Sequence, residues 1–240
     1  MATIEFLQGN LNHDAKAQDL FHQSMAQWSI NIAIVAEPYK VPDRIDWAGD
    51  LDGTVAITTR SAAGSNPFKS VIKGHGCVAA VCGDLAVVGV YFSPNKTLAE
   101  FESFLVEVGA LVGRLHPTPV IVAGDFNAKH AAWGSPVTDP RGRTLLEWAI
   151  AANLAVANKG TANTCVRQGG GSIVDITRLR TLPWHAVFRD GRYWWMSRPC
   201  QITVTSGSVS LHSLGSLSQD GMTRSKTAHA GYSKNSTEKP

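Results

Sequence analysis

Three apolar runs in this chain stop in the same way. IAIVAEPY (32–39) stops at Glu37, LAVVGVYFSPN (85–95) at Tyr91, and VIVAGDFNAKHAAWG (120–134) at Asp125, with Asn127 and His130 close behind. A short, near-continuous apolar run bounded by turn residues reads as a strand buried on both faces. Strands of that kind need a layer on each side. Their ends are the places where polar side chains can collect without cost to the core. The constraint is therefore double: a stacked, two-sided sheet architecture, and chemistry confined to strand ends.

The rest of the chain fits around these runs. TIEFLQ reads as a first strand, followed by Asn10 and Asn12. A helix is expected from about His13 to Trp28, with Leu20, Phe21, Met25 and Trp28 as its apolar stripe. TVAITT is a strand, and 61–67 a turn region. CVAAVC and LAVVGVYF are strands joined by Gly83-Asp84, a hairpin signal. Thr97 with Glu100 forms a capping box before a helix whose stripe is Phe101, Phe104, Leu105, Val108, Leu111, Val112 and Leu115. A strand at 119–123, a helix in RGRTLLEWAIAANL and a strand in SIVDIT (172–177) complete the pattern. Hairpins are mixed with strand–helix pairs, so the expected fold is α/β, with two mixed sheets stacked and helices outside.

Composition narrows the function. The length of 240 residues fits one domain plus a tail, and 44% hydrophobic residues suffice for a two-layer core. The net charge of +3 excludes a strongly basic nucleic-acid binder but not a local basic face. The N-terminus has no signal-peptide pattern and no stretch is long and apolar enough for a membrane span, so an unsecreted, intracellular protein is expected. Cys77 and Cys82, an odd number of positions apart in one strand, should face opposite ways, and the chain's four cysteines read as thiols of a reducing compartment. Near residue 178 the periodicity fails, and 206–240 is Ser-rich with few large apolar groups, which reads as disorder.

The strand-end residues have definite chemical uses. A Glu37 carboxylate suits a hard divalent cation beside a phosphate; the alternative is a surface glutamate. Asp125 and Asn127 can divide the work of activating water and binding a phosphate oxygen, or they can be an ordinary Asp-x-Asn turn. Asn10 can donate to the same phosphate, or it can cap a turn, as can Asn12. Tyr91 can donate to a developing oxyanion, or sit wet at a boundary. His130 and Trp133 can line a groove and stack on a base, or pack on each other. Asp175, inside an apolar strand, needs a partner: a histidine held in its tautomer or a structural arginine.

In order along the chain, LQGNLN, VAEPY, VYFSPN, VAGDFNAKHAAWGS, GRTLLEWAIAANLAVAN and SIVDIT resemble the motifs of the endonuclease/exonuclease/phosphatase family, and most of all the apurinic-type endonuclease domains of insect non-LTR retrotransposons. The correspondence runs from about residue 4 to 177. It implies the DNase I-like fold, a four-layer α/β/β/α sandwich of two mixed sheets. It implies catalytic roles for Asn10, Tyr91, Asp125, Asn127 and Asp175, substrate contacts at Asn12, His130 and Trp133, and Mg²⁺, with Mn²⁺ as the substitute, at Glu37. The implied partner is DNA, cut to leave a 3′ hydroxyl, in the nucleus, by a monomer or weakly self-associating protein. A reverse transcriptase domain is expected beside it in an intact element; this chain carries none. An inositol or lipid phosphatase of the same fold is the alternative activity, and a catalytically dead relic or weak DNA binder the alternative class.

Two departures stand out. Asn12 occupies a position where repair relatives carry Asp. More seriously, the family's closing Ser-Asp-His does not occur, and Arg178-Leu179-Arg180 follows Thr177 where Trp or Phe-Ala-Ser is expected. Reading the codons of GRYWWMSRPCQITVT (191–205) two nucleotides later forces Leu, Val and Asp, and permits EVLVDVETLSDHRY. The expected domains are thus 1–177, a divergent or frame-shifted end at 178–205, and the tail at 206–240. The fold should be incomplete at its C-terminal end, with the final strand of the second sheet lost or replaced.

Overall fold

The computed structural model describes residues 2–60, 67–157, 164–167, 170–180, 186–189, 192–195 and 200–206. The elements run β1 (Ala2–Asn10), α1 (Ala15–Gln27), β2 (Ile32–Ala36), β3 (Trp47–Gly49), β4 (Val55–Thr59), β5 (Ser70–Lys73), β6 (Cys77–Cys82), β7 (Leu85–Tyr91), α2 (Leu98–Arg114), β8 (Val120–Asp125), a 3₁₀ turn at Ala131–Trp133 and α3 (Pro140–Ala151). Then come β9 (Ala155–Val156), β10 (Cys165–Arg167), β11 (Gly170–Ser172), β12 (Asp175–Arg180), β13 (Ala186–Arg189), β14 (Arg192–Trp195) and β15 (Cys200–Ser206).

Two mixed sheets carry the fold. One has the order β13-β14-β15-β1-β2-β4-β3 and the other β5-β6-β7-β8-β12-β9, with β10 and β11 as a separate ribbon. Alternation along each strand sorts the side chains into three cores. Phe6, Ile32, Ile34, Val55 and Ile57 of the first sheet meet Val78, Ala80, Val87, Ile121, Ala123 and Leu179 of the second. On the outer face of the second sheet, Val88, Val90 and Val122 pack against Phe101, Phe104, Leu105 and Val108 of α2 and Leu145 and Ala149 of α3. On the outer face of the first, Leu7, Ala33 and Val35 pack against Ala17, Phe21 and Met25 of α1. This is the four-layer α/β/β/α order expected.

The helix ends follow from local sequence. Thr97 accepts from the Glu100 amide while the Glu100 side chain accepts from the Thr97 amide, the reciprocal capping box. Every residue of the α2 stripe is buried. The α1 stripe differs from expectation. Asp14 caps it, its buried residues are Ala17, Gln18, Phe21 and Met25, and Trp28 lies 47% exposed beyond its end. Cys77 does face the helix-side core and Cys82 the inter-sheet core, and burial pushes both thiols up to about 12, which makes them inert. Periodicity missed β3, which has only three residues, and β5, whose side chains are largely exposed.

In the C-terminal part β15 lies beside β1 in the first sheet, pairing parallel from Ala2↔Cys200 to Gln8↔Ser206. β12 also continues past Thr177 to Arg180. The Ser-rich segment from 207 onward lies outside the described residues. Arg178 and Arg180 point to the helix side. Arg180 donates to the Val112 carbonyl near the end of α2 at 2.8 Å. Arg178 is 1% exposed, with its guanidinium 4.9 Å from the Trp133 ring centroid, and its Nε and Nη2 find no hydrogen-bond partner among the described residues. Burial lowers its pKa to about 10. Each unsatisfied donor costs about 1–3 kcal/mol, and a cation–π contact recovers only about 2. Arg178→Met should therefore raise the unfolding free energy by about 1–2 kcal/mol. Urea titration checks it: a higher midpoint at unchanged slope is the expected result, and an unchanged midpoint would contradict it.

Candidate active site

Strand parity and register build the site. In the first sheet β1 and β2 run parallel, with Asn10 opposite Ala36, so Asn10 and Glu37 emerge side by side. In the second sheet β7 and β8 run parallel, with Tyr91 opposite Asp125, and antiparallel β12 begins with Asp175 opposite Asp125. Phe6, Val87, Ile121 and Leu179 point between the sheets. Counting in twos from them sends Asn10, Tyr91, Asp125 and Asp175 into the same space.

The hydrogen bonds tie these residues together across the sheets. Asn10 Nδ2 donates to Asp125 Oδ2 at 3.0 Å, and Asn10 Oδ1 accepts from the Asn12 amide at 2.8 Å. Asp125 Oδ1 accepts from the Asn127 amide at 2.9 Å. Asn127 Nδ2 donates to the Phe92 carbonyl at 3.1 Å, joining the β7 and β8 loops. The Tyr91 hydroxyl donates to Glu37 Oε1 at 2.6 Å. Glu37 and Asn127 both have positive φ, 46° each, so their backbones turn sharply at the strand ends.

Gly124 makes the β8 end possible. Its φ is +140°, and a Cβ there would lie 2.0 Å from the Val90 carbonyl. Gly142 does the same one loop later, where a Cβ would lie 1.8 Å from the Lys129 carbonyl. Asp139 caps α3 by accepting from Gly142 and also from the Lys129 amide, which seats the loop after Asp125 against the helix. Arg141 then reaches to the carbonyls of Ser93, Pro94 and Lys96 and fixes the loop after Tyr91.

Burial and charge set the protonation states. Asp175 is 2% exposed, and its pKa is raised well above the usual carboxylate range, first by burial and then by the Asp125 charge. Tyr91 is raised too, by burial and by its hydrogen bond to Glu37, so its phenol remains a donor at neutral pH. Thr164, which sequence reasoning missed, accepts from the amides of Val174 and Asp175 at 3.1 and 3.2 Å and so positions the start of β12.

Not every sequence-predicted residue sits where expected. Asn10, Glu37, Tyr91, Asp125, Asn127 and Asp175 come together; Asn12 lies exposed beside them, its amide spent on Asn10. Trp133 corrects the stacking expectation: it is 2% exposed in the helix-side core, with Nε1 donating to Ala128 O, so its ring offers no face to a base. His130 accepts from the Ala132 amide through Nδ1 and lies against Trp133, ring centroids 5.2 Å apart. Besides Thr164, His13 and Arg141 are residues here that sequence reading passed over. The spacing of Arg141 from the Asp139 cap was the available signal for one. Nothing local pointed to the other.

The donor set suits a hard cation. Each Asp125 oxygen accepts a hydrogen bond, and of the Glu37 oxygens Oε1 accepts one from Tyr91, so Glu37 is the less committed of the two carboxylates. Among the described residues no three His, Cys, Asp or Glu side chains stand together as a complete metal cage. An ion here would rest on Glu37 with waters and substrate oxygens, the way Mg²⁺ is commonly bound.

Comparison with known proteins agrees with the motifs. A family model described as "Endonuclease-reverse transcriptase" matches residues 85–186. The RNA-directed DNA polymerase from mobile element jockey of Drosophila melanogaster is 29% identical over 107 residues, covering 42% of this chain and 11% of that protein's length. The endonuclease domain of TRAS1, a telomere-specific non-LTR retrotransposon, superposes with a TM-score of 0.58 at 26% identity, covering 72% of this chain and 82% of that one. The fold is thus the DNase I-like endonuclease fold, two mixed sheets with few helices. In sequence and fold the chain is similar to non-LTR retrotransposon endonuclease domains, the likeness that its motifs implied. No helix among the described residues is long and apolar enough to cross a membrane.

Asp175 gives a pH prediction. A carboxyl whose folded pKa is raised stabilises the fold below the unfolded value near 4, and that stability is lost as pH rises toward the folded value. Asp175→Asn cannot ionise, so its stability relative to the native chain should grow between about pH 4 and 7. Denaturation midpoints across that range test it; a difference independent of pH would contradict it.

Proposed function

We propose that this chain is a Mg²⁺-dependent phosphodiesterase domain of the retrotransposon endonuclease type, shaped to nick DNA and leave a 3′ hydroxyl, and working poorly as it stands. The observation that carries the reading is the hydrogen-bonded chain Asn127–Asp125–Asn10 beside the Tyr91–Glu37 pair, at one edge of two stacked sheets. The family's general dependence on metal supports Glu37 as the ion's residue. The ion supplies polarisation of a non-bridging phosphate oxygen when bound.

The chain's own residues divide the remaining work. Asp125 is oriented by Asn10 Nδ2 and the Asn127 amide, so it accepts the proton of an attacking water. Asn10 and Asn127 each keep a second N–H on Nδ2 for the charge that grows on the phosphate. Tyr91, protonated at neutral pH, donates on the Glu37 side. Cleavage of chromosomal DNA would place the work in the nucleus, and a monomer suffices because every one of these residues comes from a single chain.

Impairment follows from the end of the domain. Asp175 is positioned to orient a histidine in the family's scheme, and no Ser-Asp-His occurs in the chain. Arg178 is buried with two unsatisfied nitrogens, and Gln8, opposite Ser206, is buried with both amide atoms unsatisfied by any described residue. Polar groups stranded at both contacts with the C-terminal part support the view that this part is foreign to the rest. Loss of one transition-state donor typically costs about 10²- to 10³-fold in rate.

Supercoiled plasmid with Mg²⁺ tests this. A version rebuilt after Thr177 in the shifted frame should relax the plasmid at least about 100-fold faster than the native chain. Equal rates would contradict the impairment. In the rebuilt version Glu37→Gln should remove most of the activity, and full activity there would rule out Glu37 as the metal residue.

A further inference from the structure

His13 has no part in the site described above, yet its ring lies against Glu37. The turn that carries it is unusual: Asn12 and His13 both have left-handed backbones, at φ 49° and 56°. Non-glycine residues adopt that conformation uncommonly, Asn and His more readily than most. Here the His13 amide donates to the Glu37 carbonyl at 2.9 Å, the Leu11 amide to Ala36 O at 2.9 Å, and the Asp14 amide back to Leu11 O at 3.0 Å. The turn is thereby fastened to the backbone of Glu37 itself.

The ring is fixed as well. His13 Nδ1 stands 3.0 Å from the Pro38 carbonyl oxygen. A carbonyl can only accept, so Nδ1 carries the proton, and in the neutral ring Nε2 carries the lone pair. Nε2 faces Glu37 Oε1 at 3.8 Å, too far for a hydrogen bond. That oxygen already accepts from Tyr91 at 2.6 Å. A nitrogen lone pair and a carboxylate thus face each other across a gap, with the imidazole side chain 59% exposed and open to solvent ions.

The width of the gap is informative. With bonds of about 2.0–2.2 Å, two ligands of one ion stand at most about 4.4 Å apart. The observed 3.8 Å falls inside that limit with no movement of the backbone. We propose that His13 Nε2 is a ligand of the divalent ion held at Glu37, making a mixed nitrogen–oxygen site that takes a first-row transition ion such as Mn²⁺ in preference to Mg²⁺. The inference rests on the reading of Glu37 as the metal residue. The selectivity follows from ligand type: an imidazole adds affinity for transition ions, whereas Mg²⁺ is served by oxygen.

The test uses the full chain and Mn²⁺ alone. Free Mn²⁺ is counted by electron paramagnetic resonance, and ligand nitrogen is detected as ¹⁴N modulation of the bound ion's spin echo. Bound Mn²⁺ should show an imidazole ¹⁴N signal that His13→Gln removes. His13→Gln should weaken Mn²⁺ by about tenfold or more while changing Mg²⁺, measured by competition, less than about twofold. Glu37→Gln should abolish binding of both. If Glu37→Gln abolishes binding but the native chain gives no ¹⁴N signal, or one that survives His13→Gln, the inference falls and the reading of Glu37 stands. If Mn²⁺ does not bind, or binds equally well to Glu37→Gln, both fall. Circular dichroism of His13→Gln, an exposed substitution, verifies that the fold is kept.

Discussion

The site depends on one register: Tyr91 opposite Asp125 in the parallel pair β7–β8. A slip by one residue would turn Asp125 from the inter-sheet space to the helix side and break its bond to Asn10. The register is held where Gly124 passes the Val90 carbonyl, at a spacing that no side chain could share. It is held again by Asn127 on Phe92 O and by Arg141 on the carbonyls of the following loop. The partner sheet supplies Asn10 and Glu37 by the same logic, since β1 and β2 are also parallel and end together. Parallel neighbours end at the same edge, so four strands deliver polar side chains to one place while their apolar lengths make the core.

Much of this was legible in the sequence, and for physical reasons. Runs such as VIVA and LAVVGV are too apolar for a one-sided sheet, which required stacked layers before any coordinate was known. Capping at Thr97 and Glu100, and the α2 stripe, are local signals and were read correctly. Strand ends located Asn10, Glu37, Tyr91, Asp125 and Asn127 because a strand's end fixes where its last side chain goes. Residues whose importance arises only in three dimensions were not legible. His13 meets Glu37 through two left-handed turns, and Thr164 meets β12 across a loop. Trp133 misled because an aromatic in a polar loop looks available; the 3₁₀ turn at Ala131–Trp133 instead tucks it into the core.

The end of the domain shows the reverse case, in which sequence and structure disagree on what belongs. β12 keeps its pairing with β8 through Arg180, since backbone pairing tolerates any side chain. Side chains are less forgiving. Arg178 fills a place beside Trp133 that an apolar residue would fill without unsatisfied nitrogens. The buried guanidinium at Arg178 lies upstream of residues 191–205, whose codons admit a second reading frame.

The central claim is that Glu37 with Asn10, Asp125 and Asn127 forms a phosphodiester-binding site. A crystal structure of the full chain with Mn²⁺ and a short duplex bearing a cleavage-resistant phosphorothioate tests it most directly. The account predicts an anomalous peak at the Glu37 carboxylate and one phosphate within hydrogen-bond distance of both Asn10 Nδ2 and Asn127 Nδ2. Duplex bound on another face of the sheets, with no ion at Glu37, would contradict it.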